Sequence, residues 1–208
     1  MAIKVVFFQI YCILSLYLVT IIGRRILDRG KGFDYVRHLA KFIHPIYAIG
    51  WLGFLVSSIL VIPTHPQPLS LLPRFILPCQ LSFPLYLSFF ILSAIVGLPG
   101  IGGLASRKVG PIRLMTRRFI KSGIRRYLRN PMSLGGYLFL IGYAIAFSSS
   151  YLLLVSLAGI IPAHIFYLKI YEEKELELKF GEEYLKYKKE VPFLLPRIKK
   201  RQKAGKNF

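Results

Sequence analysis

Two adjacent carboxylates, Glu172 and Glu173, stand about one helical turn beyond a long apolar stretch, in a chain that is otherwise apolar or basic. All seven glutamates fall between Glu172 and Glu190, and only Asp28 and Asp34 lie elsewhere. The chain has 208 residues, with 29 Lys/Arg against 9 Asp/Glu and a net charge of +20. The second pair, Glu182-Glu183, has a structural explanation. Gly181 ends one helix and Pro192 ends the next, so these carboxylates sit in a first helical turn, where the macrodipole favours them. Glu172-Glu173 lies in the C-terminal half of a helix, against the dipole and at the membrane edge. Carboxylates in such a place require a cation. That cation is Lys169, a neighbouring arginine, or a bound sulfonium or amine.

A second constellation runs through "SGIRRYLRNPMSLGGY", Ser122 to Tyr137. Asn130 suits a helix N-cap and Pro131 the first helical position, where a missing N–H costs nothing. Arg125, Arg126 and Arg129 precede this helix start. Guanidinium groups beside the positive end of a helix attract an anion, either a ligand or a lipid phosphate. A similar string, "FIHPIYAIGW" at Phe42 to Trp51, reads as the same cap-and-proline solution at another helix start, without the arginines.

The elements that must position these groups are membrane helices. Mean hydropathy is +0.52, and the charges are gathered between long uncharged stretches rather than spread over amphipathic surfaces. Five such stretches predict spans at about 5–22, 46–62, 81–98, 132–147 and 151–168, measured against the roughly 20 residues that a bilayer core requires. The second and fourth borrow flanking residues. The first reads as a span rather than a cleaved leader, because Gly23-Arg24-Arg25 resembles a stop-transfer flank. "GLPGIGG" at Gly97 to Gly103 follows no strand, and is expected to break the third helix at the membrane surface. The fold class is therefore all-α: one polytopic membrane domain over 1–208, its last two spans a tight hairpin across Ser148-Ser149-Ser150. A short helical segment over 169–196 and a solvated basic tail over 197–208 follow.

With five spans, 27 of the 29 basic residues lie on one face. The positive-inside rule makes that face cytoplasmic, with the N-terminus outside and the C-terminus inside. The basic segments are therefore expected to meet anionic lipid rather than nucleic acid. Cys12 and Cys79 read as packed thiols, and the four histidines show no metal-ligand spacing.

The two constellations together resemble the isoprenylcysteine carboxyl methyltransferase and phospholipid methyltransferase superfamily of integral membrane enzymes. The family pattern runs roughly G-x-Y-R-Y-x-R-[HN]-P-x-Y, then E-E-x-x-L-x-x-x-[FY]-G-x-x-Y-x-x-Y-x-x-x-V-P. Gly123, Arg126, Tyr127, Arg129, Asn130 and Pro131 match the first part. Glu172, Glu173, Leu176, Phe180, Gly181, Tyr184, Tyr187, Val191 and Pro192 match the second. The resemblance covers roughly Ser122 to Pro196. Asn130 stands where the carboxyl methyltransferases often have His, Ser133 where Tyr is common, and Arg125 where an aromatic is usual.

The resemblance implies S-adenosylmethionine as cofactor, bound at the cytoplasmic end of the last two spans. It places Asn130, Pro131, Glu172 and Glu173 in the cofactor site, with Tyr184 and Tyr187 as a cover; His164, about a turn and a half before Lys169, is either a cofactor-site residue or a packed histidine. Methyl transfer from a sulfonium needs alignment more than acid–base chemistry. A carboxylate acceptor requires an arginine to position it, and Arg126 and Arg129 are the candidates. An amine acceptor requires a base, for which the glutamate pair or His164 would serve. The expected acceptor is a lipid-like or prenylated molecule, with carboxyl O-methylation favoured over phospholipid N-methylation. Two other classes compete: a nicotinamide-dependent membrane reductase and a non-enzymatic membrane scaffold or small transporter.

Overall fold

The computed structural model of the protein describes residues 2–30, 32–65, 67–69, 71–75, 77–105 and 123–195. Much of the basic segment between the third and fourth spans (106–122) and the basic tail (197–208) lie outside the described residues, as does the side chain of Cys79. Cys12 is buried as a free thiol.

Six helices form, with no strand among the described residues. They are α1 (Ala2–Arg29), α2 (Phe33–Val61), α3 (Cys79–Ala105), α4 (Pro131–Ala146), the continuous α5 (Ser150–Phe180) and α6 (Glu182–Glu190). Helices α1, α2, α3 and α5 contain stretches long and apolar enough to cross a membrane, and α4 is a shorter apolar helix. The five apolar stretches are thus all helical. Phe7, Leu14, Ile49, Leu60 and Ile95 are among the large side chains left exposed on the outside of the bundle. Such a surface suits lipid rather than water.

Both α1 and α2 run well past their apolar stretches, leaving only residues 30–32 between them. Lysine and arginine continue a helix readily and carry their charges out to the surface on long stems. This overturns one expectation. Pro45 is not at a helix start but inside α2, three turns from its beginning. The bend-prone position created by the missing N–H lies within the bundle.

A second expectation also fails. Helix α3 runs on to Ala105 through Pro99 and the glycines instead of breaking. Gly97 is used for packing. A Cβ on Gly135 of α4 would lie 2.7 Å from Gly97 Cα and 3.0 Å from the Ser93 carbonyl oxygen. Only glycine lets these two backbones approach so closely, as helices in lipid do. The Ser93 hydroxyl donates to the Gly135 carbonyl at 2.8 Å across the same contact.

Consecutive helices alternate in direction. Ile13 packs at Gly159 and Tyr17 at Phe166, so α5 runs parallel to α1. Phe8 and Leu16 pack at Gly53 and Gly50, so α2 runs antiparallel to α1. At the hairpin between α4 and α5, Ser148 takes a φ of 48° and Ser149 caps α5 by accepting from the Leu152 N–H at 3.1 Å. A buried polar cluster pins the end of the bundle away from the glutamates. There Tyr151 donates to Gln9 at 2.7 Å, and Gln9 donates to Ser58 at 3.0 Å.

Helix α5 carries two π turns, Ser156–Ile160 and Leu168–Glu172. Each widens the helix by one residue and re-aims the side chains that follow, a device common at functional sites. The second leads directly into the glutamate pair.

Candidate active site

The middle of α2, the start of α4 and the middle of α5 converge on one cavity of about 310 Å³. Its α2 wall is His44, Pro45, Tyr47, Ala48 and Trp51. Its α4 wall is Asn130, Pro131, Met132, Ser133 and Gly136, with Arg125 before them. Its α5 wall is His164, Tyr167, Leu168 and Glu172. The two similar strings, "FIHPIYAIGW" and "LRNPMSLGG", therefore face each other across one space. The size falls in the ~300–1,000 Å³ range of small-molecule pockets.

The aromatic wall is tightly assembled. Tyr47 stacks on Tyr167 at a centroid distance of 3.6 Å. The His164 ring lies 5.2 Å from Trp51, 5.6 Å from Tyr137 and 5.7 Å from Tyr47. His164 Nδ1 and the hydroxyls of Tyr47 and Tyr137 are buried with no hydrogen-bond partner among the described residues. Buried polar atoms are nearly always satisfied, so the two of these that belong to cavity residues, His164 Nδ1 and the Tyr47 hydroxyl, mark a polar-lined interior. Glu172 adds a carboxylate at 8% exposure.

The start of α4 is not capped in the expected way. Asn130 occupies the N-cap and Pro131 the first position, but the Asn130 side chain makes no cap hydrogen bond. It donates instead to the Phe193 carbonyl at 3.4 Å. The backbone of the returning chain ties down the same loop, because the Arg129 N–H donates to the Pro192 carbonyl at 2.9 Å. The first amides of α4 are thus left without that side-chain acceptor at the cavity, an arrangement suited to an anionic group.

The two expected glutamates separate in role. Glu172 lines the cavity. Glu173 turns away to an ion pair, 2.5 Å from an Arg129 guanidinium nitrogen and 2.8 Å from Lys188 Nζ. Lys188 also meets Glu177 at 2.8 Å. Burial alone would lower the Lys188 ammonium, but its bonds to Glu173 and Glu177 outweigh that and hold it above its ordinary value. Arg129 and Lys169 both lie over the Phe193 ring, at 5.5 and 5.2 Å.

The remaining expected residues scatter. Asn130, Pro131 and His164 line the cavity with Glu172, whereas Arg126 is exposed and Arg129 faces Glu173. Arg125, only 7% exposed, lines the cavity in their place. Tyr184 and Tyr187 are not cavity residues. They form a small core with Val191, Leu176 and Phe180, and the Tyr187 hydroxyl donates to the Arg125 carbonyl at 2.7 Å. Their part is to hold the Arg125 turn. Gly181, at a φ of 51°, makes this possible by folding α6 back along α5.

The sequence reading missed His44, Tyr47, Trp51 and Tyr167. The signal present for the first three was the likeness of their string to the Asn130-Pro131 string, which was read as local capping. No group of three or more His, Cys, Asp or Glu that would hold a metal occurs among the described residues.

Residues 103–183 match the family model for phospholipid methyltransferase. No curated protein and no solved structure matches the chain. The matched stretch holds Asn130-Pro131, His164 and Glu172, which the fold brings to one cavity at the end of an apolar helical bundle. Residues 103–183 are thus similar to the phospholipid methyltransferases, within the superfamily of integral membrane methyltransferases that also contains the isoprenylcysteine carboxyl methyltransferases.

Proposed function

We propose that the protein transfers a methyl group from S-adenosylmethionine to a lipid-like acceptor at the cytoplasmic surface of its membrane. The observation that carries this reading is the meeting of Glu172, an aromatic wall and the start of α4 around one cavity. The residues present fit the cofactor. A sulfonium suits aromatic faces and a nearby carboxylate. An amino-acid carboxylate suits the α4 amides. The unpartnered His164 Nδ1 and Tyr47 hydroxyl offer polar groups for the rest of the molecule. When bound, the cofactor supplies an electrophilic methyl group. The protein's own work is to align the acceptor and keep water out.

The acceptor reading favoured here is an amine headgroup. Arg126 is exposed and Arg129 is committed to Glu173, so neither of the arginines expected to orient a carboxylate borders the cavity. Aromatic faces beside Glu172 suit a cation better than an anion. Carboxyl O-methylation is the second reading, and Arg125 in the cavity wall is the observation that favours it. The family match supports methyl transfer over a nicotinamide-dependent reduction or a non-catalytic role.

The side assigned to the site follows from charge. The cavity lies at the end of the bundle shared by Arg24, Arg125, Arg129, Lys169 and Lys188, which the positive-inside rule makes cytoplasmic. The N-terminus is then outside and the C-terminus inside.

The test is transfer of a labelled methyl group into a total lipid and protein extract by the purified protein, followed by identification of the labelled class. Label in lipid is the expected outcome. Absence of transfer, together with absence of binding of S-adenosylmethionine or its demethylated product, overturns the proposal.

A further inference from the structure

Glu175, His44 and Tyr167 form a connected line that ends at the cavity. His44 Nε2 lies 2.7 Å from Glu175 Oε2, and His44 Nδ1 lies 2.6 Å from the Tyr167 hydroxyl. The Glu175 side chain is 3% exposed and that of His44 15%. Lys179 pairs with the other oxygen of Glu175. A carboxylate held by an ammonium is ionised and can only accept hydrogen bonds. In the neutral imidazole Nε2 therefore carries the proton and Nδ1 is the acceptor. It follows that Tyr167 donates its O–H to His44. Toward any other group the Tyr167 oxygen can then act only as an acceptor.

Both Tyr167 and His44 line the cavity. This line spans α2 and α5 and lies apart from the Arg129–Glu173 pair. The other titratable groups facing His44 are Tyr171, whose ring lies 5.8 Å away, and Glu172 and Arg125 across the cavity. Tyr47 flanks it on its own helix through its stack with Tyr167.

Resting on the amine-acceptor reading above, we propose that Tyr167, His44 and Glu175 are a proton relay that prepares the acceptor nitrogen. The acceptor arrives as an ammonium and must lose a proton before its lone pair can attack. An N–H bond of that ammonium breaks as an O–H bond forms on Tyr167. The original Tyr167 O–H bond breaks as an N–H bond forms on His44 Nδ1. The products are a neutral amine and an imidazolium whose Nε2–H is held by Glu175, and His44 later releases the proton to water. Tyr167 is the catalytic residue, and His44 and Glu175 act through it as positioning residues. General-base steps of this kind contribute ~10²–10⁴-fold.

The experiment uses the full chain in nanodiscs containing phosphatidylethanolamine, with Tyr167→Phe, His44→Gln and Glu175→Gln. Tyr167→Phe keeps the ring stack and separates chemistry from folding. The expected result is a loss of about 10²-fold in kcat for each variant, with the alkaline rise of the wild-type rate profile displaced to higher pH and cofactor affinity unchanged. Histidine-selective nitrogen NMR, without cofactor, should show His44 protonated on Nε2 in the wild type and a mixture of tautomers in Glu175→Gln. Unchanged pH profiles in Tyr167→Phe and His44→Gln overturn the relay, and so does an Nδ1–H tautomer in the wild type. Wild-type transfer to a prenylated carboxylate alone also overturns the relay while leaving methyl transfer intact. A wild type that transfers to neither acceptor overturns both readings.

Discussion

The Arg129 guanidinium meets the Glu173 carboxylate at 2.5 Å, joining the loop before α4 to the middle of α5, with both side chains about nine-tenths buried. This pair fixes the position of Asn130-Pro131 relative to Glu172, since each motif contributes one member to the pair and its neighbours to the cavity. Removing Glu173 leaves the Arg129 charge buried without its carboxylate, which costs about 3–5 kcal/mol, and removing Arg129 leaves Glu173 with Lys188 alone. Arg129→Met and Glu173→Leu should each lower the unfolding midpoint strongly. The double variant should recover much of the loss, read by thermal denaturation in detergent as a double-mutant cycle. Additive losses would show that the pair is not the connecting element.

Glu172 should behave differently from its neighbour. Glu172→Gln keeps the shape and removes the charge facing the cavity. A hydrogen bond to a charged group contributes about 1.5–3 kcal/mol, so cofactor affinity by titration calorimetry should weaken by about 10- to 100-fold. The unfolding midpoint should change little. Equal binding in Glu172→Gln and wild type would remove Glu172 from the cofactor site.

Arg125 and Arg126 are adjacent but unequal. Arg126 is exposed, and Arg126→Ala should stay within about 0.5 kcal/mol of wild-type stability and about twofold of its methyl-transfer rate. Arg125 is buried at the cavity, and Arg125→Ala should lower transfer by about tenfold or more. The reverse order in a methyl-transfer assay would contradict the placement of this turn.

How much of this was legible beforehand depends on where each signal resides. The five apolar stretches, the Ser149 hairpin, the Gly181 break and the short α6 are written locally, in hydropathy and in turn residues. The motifs Asn130-Pro131 and Glu172-Glu173 are also local. The partition of labour between Glu172 and Glu173 is not, because it depends on Lys188 and Arg129 arriving from two other elements. The α2 wall was hidden for a related reason. Tyr47 and Trp51 look like ordinary span residues until α5 sets Tyr167 and His164 against them. Arg125 was passed over because a charge run carries no indication of which member turns inward.

The glycine contact between α3 and α4 gives a stability test independent of function. A Cβ at Gly135 meets backbone at 2.7 Å, whereas one at Gly136 finds its nearest neighbour, the Trp51 ring, at 3.9 Å. Gly135→Ala should destabilise by about 1–3 kcal/mol, as overpacking does, while Gly136→Ala should be nearly neutral. Melting curves in one detergent decide between them, and equal melting of the two variants would rule out the close approach.

Five of the fifteen residues around the cavity belong to α2, well ahead of the stretch that matches the family, and the carbonyls of Pro192 and Phe193 that tether its mouth come after that stretch ends. The recognisable portion of the chain and the working portion are therefore different objects. An excised piece covering only residues 103–183 would keep both signature motifs yet lack one side of the chamber and its latch. Substitutions in the α2 wall would leave both signature motifs intact while reshaping the chamber that those motifs close.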